Sequence, residues 1–280
     1  MNRVIVVTDS SATVPAKLVQ ELDIRVVPII LALDGHSFRD GEEITPLDVY
    51  HWLRESKHLP TTASPSVGDF LRVYYAAAQE ASAIVSIHLS PRLSATYNVA
   101  VAASQLIENV PIHVVDCHTA AMAQGFVAIE AARAAARGAG PEAVVARAEE
   151  VAAKVNLLAT LDTLEYLYRG GRIGGAAALA GAMLQIKPVL YVADGQVGVL
   201  AKPRTHTRAI RVMLERMADQ VDGHRLHAAV MHADVPEEAE ALRQQVAQRF
   251  NCTELYVTEL TPVMGAHTGP GVLGVVFYSE

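Results

Sequence analysis

Short apolar runs alternating with amphipathic stretches through the first half of this chain constrain its fold more than any other feature. Val4–Thr8, Ala83–Ile87 and Ile112–Val115 read as strands, and Ile24–Leu33 reads as an extended segment ending at the turn Asp34-Gly35. Pro15–Glu21, Pro46–Ser56, Val67–Ala81 and Ser94–Glu108 read as helices. This βαβα rhythm predicts an N-terminal three-layer α/β/α domain with a mainly parallel sheet. Ligands of such sheets lie beyond the carboxyl ends of the strands. Asp9-Ser10-Ser11, Ser90–Ser94 and Asp116-Cys117-His118-Thr119 all follow strands and are expected at one rim.

An Ala-rich stretch, Thr119–Arg137, stops at Gly138-Ala139-Gly140-Pro141 and resumes as a second helix over Glu142–Val155. The domain boundary is placed near its end, giving residues 1–152 and 153–280. Beyond it, Leu157–Leu161 reads as a strand, followed by a helix around Leu164–Tyr168, the apolar stretch Ala176–Leu184, and a hairpin of Val189–Ala193 and Val197–Ala201 across Asp194-Gly195. Helices over Thr207–Gln220 and Pro236–Phe250 alternate with strands at Leu226–Met231, Glu254–Thr258 and Val272–Tyr278. A hairpin within an otherwise βαβ-like run predicts a C-terminal α/β domain with a mixed sheet.

Composition excludes several classes. The chain is 51% hydrophobic yet has no apolar run of membrane-spanning length, so it is not an integral membrane protein by this reading, and the cytoplasm is the expected compartment. A net charge of −7 with no basic block argues against nucleic acid. Cys117 and Cys252 form no ligand pattern, as expected of free thiols in a reducing compartment. Gly269-Pro270-Gly271-Val272-Leu273-Gly274 has the glycines of a dinucleotide fingerprint but precedes a strand. His224, His227 and His232 straddle a strand without a Cys or carboxylate pattern, which reads as structural histidines and no metal site.

Polar turns remain as candidates. Ser94 falls where a strand gives way to a helix, in a turn whose unpaired N–H groups and macrodipole favour a carboxylate or phosphate, although a plain N-cap explains it too. Thr61-Thr62-Ala63-Ser64-Pro65-Ser66 offers similar groups, and His267, in a loop before the last strand, could donate to the same anion. Arg169-Gly170-Gly171-Arg172-Ile173-Gly174 and Lys202-Pro203-Arg204-Thr205 add basic turns, equally readable as solvated loop charges.

Taken together, Thr8-Asp9-Ser10-Ser11, Thr62 with Pro65-Ser66, Leu93-Ser94-Ala95-Thr96-Tyr97, Arg169-Gly170-Gly171-Arg172-Ile173, Lys187-Pro188 and His267-Thr268-Gly269-Pro270-Gly271 resemble the DegV family of bacterial fatty-acid-binding proteins. The resemblance runs through nearly the whole chain, with the motifs in order. It implies a two-domain α/β protein holding one long-chain fatty acid in a buried tunnel between the domains. It also implies a non-catalytic carrier subunit of fatty acid kinase type, which presents the acid to a separate ATP-binding kinase subunit for acyl-phosphate formation. By the same resemblance Thr62, Ser94 and His267 match the carboxylate ligands, and Arg172 and Arg204 match positions that meet the kinase or the phosphoryl group. No cofactor, metal or catalytic residue is implied; the partners are the fatty acid and the kinase subunit, with transient membrane contact allowed. The chain departs from the family's usual pattern at Ala63-Ser64, Ala95 and Cys117.

Physical chemistry agrees with that expectation. A carboxylate leaves water only when hydrogen-bonded, while the affinity comes from the tail, at roughly 0.8 kcal/mol per buried CH₂. Small apolar residues in Ala176–Leu184, including Met183, suit a tunnel lining. Two rival classes stay open at this level. One is a lipid storage or transport protein without a kinase; the other is a hydrolase using Ser94 or Cys117 with His267 as base.

Overall fold

The three-dimensional structure, a computed structural model, describes residues 3–56, 58–182, 186–221 and 223–280. In chain order it contains β1 (Val4–Asp9), α1 (Ala16–Glu21), β2 (Arg25–Val27), β3 (Ile30–Leu33), β4 (His36–Arg39), α2 (Pro46–Glu55), β5 (Thr61–Ala63), α3 (Val67–Ala78) and β6 (Ala83–His88). Next come α4 (Thr96–Ser104), β7 (Ile112–Asp116), α5 (Ala121–Ala136), α6 (Pro141–Lys154), β8 (Asn156–Thr160) and α7 (Glu165–Arg169). The remainder holds β9 (Val189–Ala193), β10 (Gln196–Ala201), α8 (His206–Val221), β11 (Leu226–His232), α9 (Pro236–Arg249), β12 (Cys252–Glu259), α10 (Pro262–Thr268) and β13 (Leu273–Ser279). Ser10–Ala12 and Gly174–Ala182 are 3₁₀-helical.

Two compact units emerge. The first comprises residues 1–43 and 62–153, the second residues 44–61 and 154–280. The later crossing falls beside the boundary expected at 152/153. The earlier excursion was not expected: α2 belongs to the second unit, where Tyr50 is fully buried with its ring against Gly265 of α10. A single cut cannot represent a helix contributed across units, and α2's own amphipathic pattern does not say which core it joins.

In the first unit the sheet order is β2-β1-β6-β7, parallel throughout as the rhythm predicts. One face of it, with Ile5, Val7 and Ile84, packs on Phe70, Tyr74 and Ala77 of α3 and Ala100 and Ala103 of α4. Helix α5 lies against β1 and is buried along almost its whole length, which explains its lack of a polar stripe. Both α2 and α3 begin in capping boxes, Thr45 with Asp48 and Ser66 with Asp69, so both starts are written in the sequence. The extended segment Ile24–Leu33 is in fact two strands in different sheets, broken at Pro28, and β4 returns on β3 across Asp34-Gly35. Thr61–Ala63, read as a loop, is the third strand of that small β4-β3-β5 sheet.

The second unit carries a six-stranded mixed sheet, β10-β9-β8-β13-β11-β12, in which only β11 and β12 run parallel. Its hairpin turns at Asp194 and Gly195, both with positive φ, as a two-residue turn matched to strand twist requires. Ala209, Met213 and Met217 of α8 and Ala239, Leu242 and Val246 of α9 recur at helical spacing and cover Leu158, Val230, Leu273 and Val275. Among the described residues no helix is long and apolar enough to cross a membrane. Of the stretch Ala176–Leu184, Met183 and Leu184 lie outside the described residues.

Gly125 shows how tightly the first unit is closed. A Cβ there would stand 2.6 Å from the backbone oxygen of Ala12 and 2.8 Å from Met122 Sδ. Glycine to alanine inside a helix normally gains about 1 kcal/mol. At this position the backbone oxygen has nowhere to go, so Gly125→Ala is expected to lose about 1–3 kcal/mol instead, read from the urea midpoint.

Candidate functional site

The carboxyl ends of β1, β6 and β7 gather as the sequence predicts. Cys117 N–H donates to His88 O at 3.1 Å and Ser90 N–H to Thr119 O at 3.2 Å, placing the loops after β6 and β7 side by side, and β1 pairs with β6 up to Thr8. Beneath them lies a polar network that sequence reasoning did not assemble. Asp9 is fully buried, and its carboxylate accepts from Ser11 N at 3.1 Å, from Ser11 Oγ, from Gln124 Nε2 at 2.9 Å and from His88 Nδ1 at 2.8 Å. His88 Nε2 lies 2.7 Å from Ser86 Oγ, which accepts from Tyr74 OH at 2.8 Å.

The Asp9 carboxylate only accepts, so His88 Nδ1 carries the proton between them. At the other ring nitrogen the roles depend on the tautomer, because Ser86 Oγ, while accepting from Tyr74, keeps both a hydrogen and a second lone pair for His88 Nε2. The signal for this network was present: Ser86 and His88 are alternate residues in an apolar strand and so share a face. Asp9, His88 and Ser86 have the connectivity of a nucleophile triad, but Ser86 is fully buried and presents nothing to a substrate. Cys117 is also buried, and desolvation pushes its thiol well above the ordinary range, which disfavours the thiolate.

Ser94 precedes α4 by two residues. Its hydroxyl accepts from Thr96 N at 3.3 Å and lies 2.8 Å from Thr96 Oγ1, while its own amide donates to Ser90 O at 3.2 Å. It is half-buried and serves the helix start without being the N-cap, which is Ala95. Thr62 is half-buried at the centre of β5.

In the second unit, His267 occupies the last turn of α10, not a loop. The helix was missed because it spans only Pro262–Thr268, although its Pro at the first position was a start signal. Three glycines determine how its surroundings close. A Cβ on Gly170 would stand 2.7 Å from His267 Nδ1; Gly269, with φ 76°, lies under the Tyr166 ring; Gly271, with φ 86°, lies against the Asp162 carboxylate. The Gly269–Gly274 run therefore admits side chains, and it leads into β13 where a dinucleotide fingerprint would lead out of a strand. Desolvation, helped by the nearby Arg172 charge, lowers the His267 pKa to about 4, so its imidazole is neutral at neutral pH. Arg172 is half-buried with Nη1 donating to Gly170 O at 2.7 Å, whereas Arg204 is exposed in the bend before α8. His227 bonds Glu254 at 2.7 Å and Glu280 at 3.1 Å through its two ring nitrogens.

The family model described as "Uncharacterised protein, DegV family" matches residues 3–280. The chain belongs to the DegV family. A DegV domain-containing protein of Streptomyces coelicolor is 39% identical over 279 residues, covering 99% of each chain. Among solved structures, a fatty-acid-binding DegV family protein from Thermus thermophilus superposes with a TM-score of 0.95 at 37% identity, covering 99% of this chain and all of that one. DegV from Bacillus subtilis, described as a fatty acid binding protein, superposes at 0.92 with 29% identity and full coverage of both chains. The family and the two α/β layers expected from the sequence are thereby established. His88 and its buried partners belong to the scaffold beneath the loops that carry the family motifs.

Two expectations follow. His88→Ala removes a donor from a buried carboxylate and leaves a cavity, so it should cost about 3 kcal/mol or more in urea unfolding, against about 1 kcal/mol for Tyr74→Phe. His267 gives a pH signature of definite sign. Its folded pKa, about 4, lies below its ordinary 6.5, so the unfolded chain binds a proton that the folded chain refuses. The His267 contribution to stability is thus complete above pH 6.5, falls as pH drops toward about 4, and levels off below. His267→Gln should flatten that part of the stability profile.

Proposed function

We propose that this chain binds one long-chain fatty acid in a buried tunnel and presents its carboxylate to a separate ATP-dependent kinase subunit in the cytoplasm. Thr62, Ser94 and His267 take the carboxylate, and Arg172 and Arg204 meet the phosphoryl group or the partner. The observation that carries the reading is full-length likeness, at 37% identity, to the Thermus protein described as binding fatty acid.

The local chemistry supports it. A neutral imidazole can donate one N–H to a carboxylate without adding a buried charge, and the depressed pKa of His267 keeps it in that form. The Ser94 hydroxyl, fixed by Thr96, offers a second polar contact at a helix start. The tail supplies most of the binding energy: about fifteen buried methylenes contribute on the order of 12 kcal/mol before ordering costs. In this reading the chain is the carrier and the phosphoryl chemistry resides in the partner, with the tunnel shielding the tail and the loops fixing the reactive end.

Native mass spectrometry of the purified protein, followed by denaturing extraction, tests this directly. A one-to-one mass increment that extracts as a long-chain fatty acid is the expected result; a protein that is empty and stays empty after incubation with a fatty-acid panel overturns it. Ser94→Ala and Thr62→Ala should each weaken fatty-acid binding about ten- to 150-fold, the range for losing a hydrogen bond to a charged group. Arg172→Ala should retain binding and lose acyl-phosphate formation with the kinase subunit. Retained acyl-phosphate formation in that variant would remove Arg172 from the phosphoryl or partner contact, and none in the parent protein would favour storage or transport without a kinase.

A further inference from the structure

Asp162 sits just beyond β8, and one carboxylate there reaches three loops of the second unit. Its Oδ1 accepts from Lys187 Nζ at 2.6 Å and from His206 Nε2 at 2.6 Å, and its main-chain oxygen takes the same ammonium at 3.3 Å. Lys187 precedes β9, and its own amide donates to Pro203 O at 2.7 Å, the residue before Arg204. His206 opens α8 two residues after Arg204. The Arg204 bend is therefore held on both sides by groups that converge on Asp162.

The other carboxylate oxygen faces the second loop. Asp162 Oδ2 lies against Gly271, where any Cβ would overlap it, and Gly271 N–H donates to Ala233 O at 2.8 Å. Gly271 ends the tight turn that leaves α10 directly after His267 and Thr268. The side chains of Asp162, Lys187 and His206 are 48%, 29% and 39% exposed. Ion pairs at that exposure contribute little to global stability, so the arrangement matters for where it holds the loops. Burial alone would raise the Asp162 pKa, but the Lys187 and His206 hydrogen bonds outweigh it and keep the carboxyl ionised.

We propose that Asp162 is a positioning residue for head-group recognition: through Lys187 and His206 on one side and Gly271 on the other, it sets the Arg204 bend and the turn that follows His267 and α10 in one arrangement. This rests on the fatty-acid reading above. Its consequence is selectivity for a carboxylate end, with no effect on the apolar tail.

The test compares stearate with stearyl alcohol, which has the same tail and no carboxylate, by fluorescence-displacement titration of the full chain. The parent protein should prefer stearate. Asp162→Asn and Lys187→Met should each weaken stearate about fivefold and leave stearyl alcohol unchanged, with the thermal midpoint little moved. Lys187→Arg, which keeps the charge, should restore the preference. If both ligands weaken together, or neither changes while the parent still prefers stearate, the positioning role is overturned and the binding reading stands. A parent that binds neither ligand overturns both.

Discussion

The first unit depends on a buried negative charge. An isolated carboxylate in an apolar interior costs several kcal/mol, so Asp9 is tolerable only because four donors meet it. Those donors come from the turn after β1, from β6 and from the first turn of α5, which is why these elements cannot shift independently. Ser10 extends the arrangement by accepting the Ile29 amide at 3.0 Å. The surface loops inherit their positions from this hub, since His88 and Cys117 share a backbone hydrogen bond across neighbouring strands.

The second unit solves a comparable problem by close approach. Gly170, Gly265, Gly269 and Gly271 each face the side chain of a residue elsewhere in the unit, namely His267, Tyr50, Tyr166 and Asp162. Dense packing around His267 is what strips it of water and depresses its pKa. Of these glycines it is Gly170 that lies against the imidazole, where a Cβ would stand 2.7 Å from His267 Nδ1, so an uncharged residue helps to close the surroundings of a titratable group.

Much of the scaffold was legible in the sequence, because each signal is local. Capping boxes at Thr45 and Ser66 mark helix starts, alternation of runs marks a parallel sheet, and Asp194-Gly195 marks a hairpin. What was not legible is decided by partners far along the chain. Nothing near Asp9 indicates that Gln124 will bond it, 115 residues away, and nothing in Pro46–Glu55 indicates that Tyr50 will pack on Gly265. His267 was misplaced in a loop because a seven-residue helix with a glycine in its middle and another at its end is too short for periodicity to register. The family motifs marked Thr62, Ser94 and His267 as a set, but a motif gives identity without geometry.

The residues that motif reasoning selects and the residues that hold them in place are thus two different populations. Ser94, Thr62 and Arg204 are half-buried or exposed and readable from the sequence. Asp9, His88, Tyr50 and Asp162 are fixed by contacts at long sequence separation. Departures from the family's usual pattern at Ala63, Ser64 and Ala95 fall in the readable population, at the end of β5, just after it, and before α4. They change the polar groups that loops offer without touching the buried Asp9 hub or the glycine contacts around His267. The polar groups that the loops offer can therefore vary while the buried contacts beneath them stay the same.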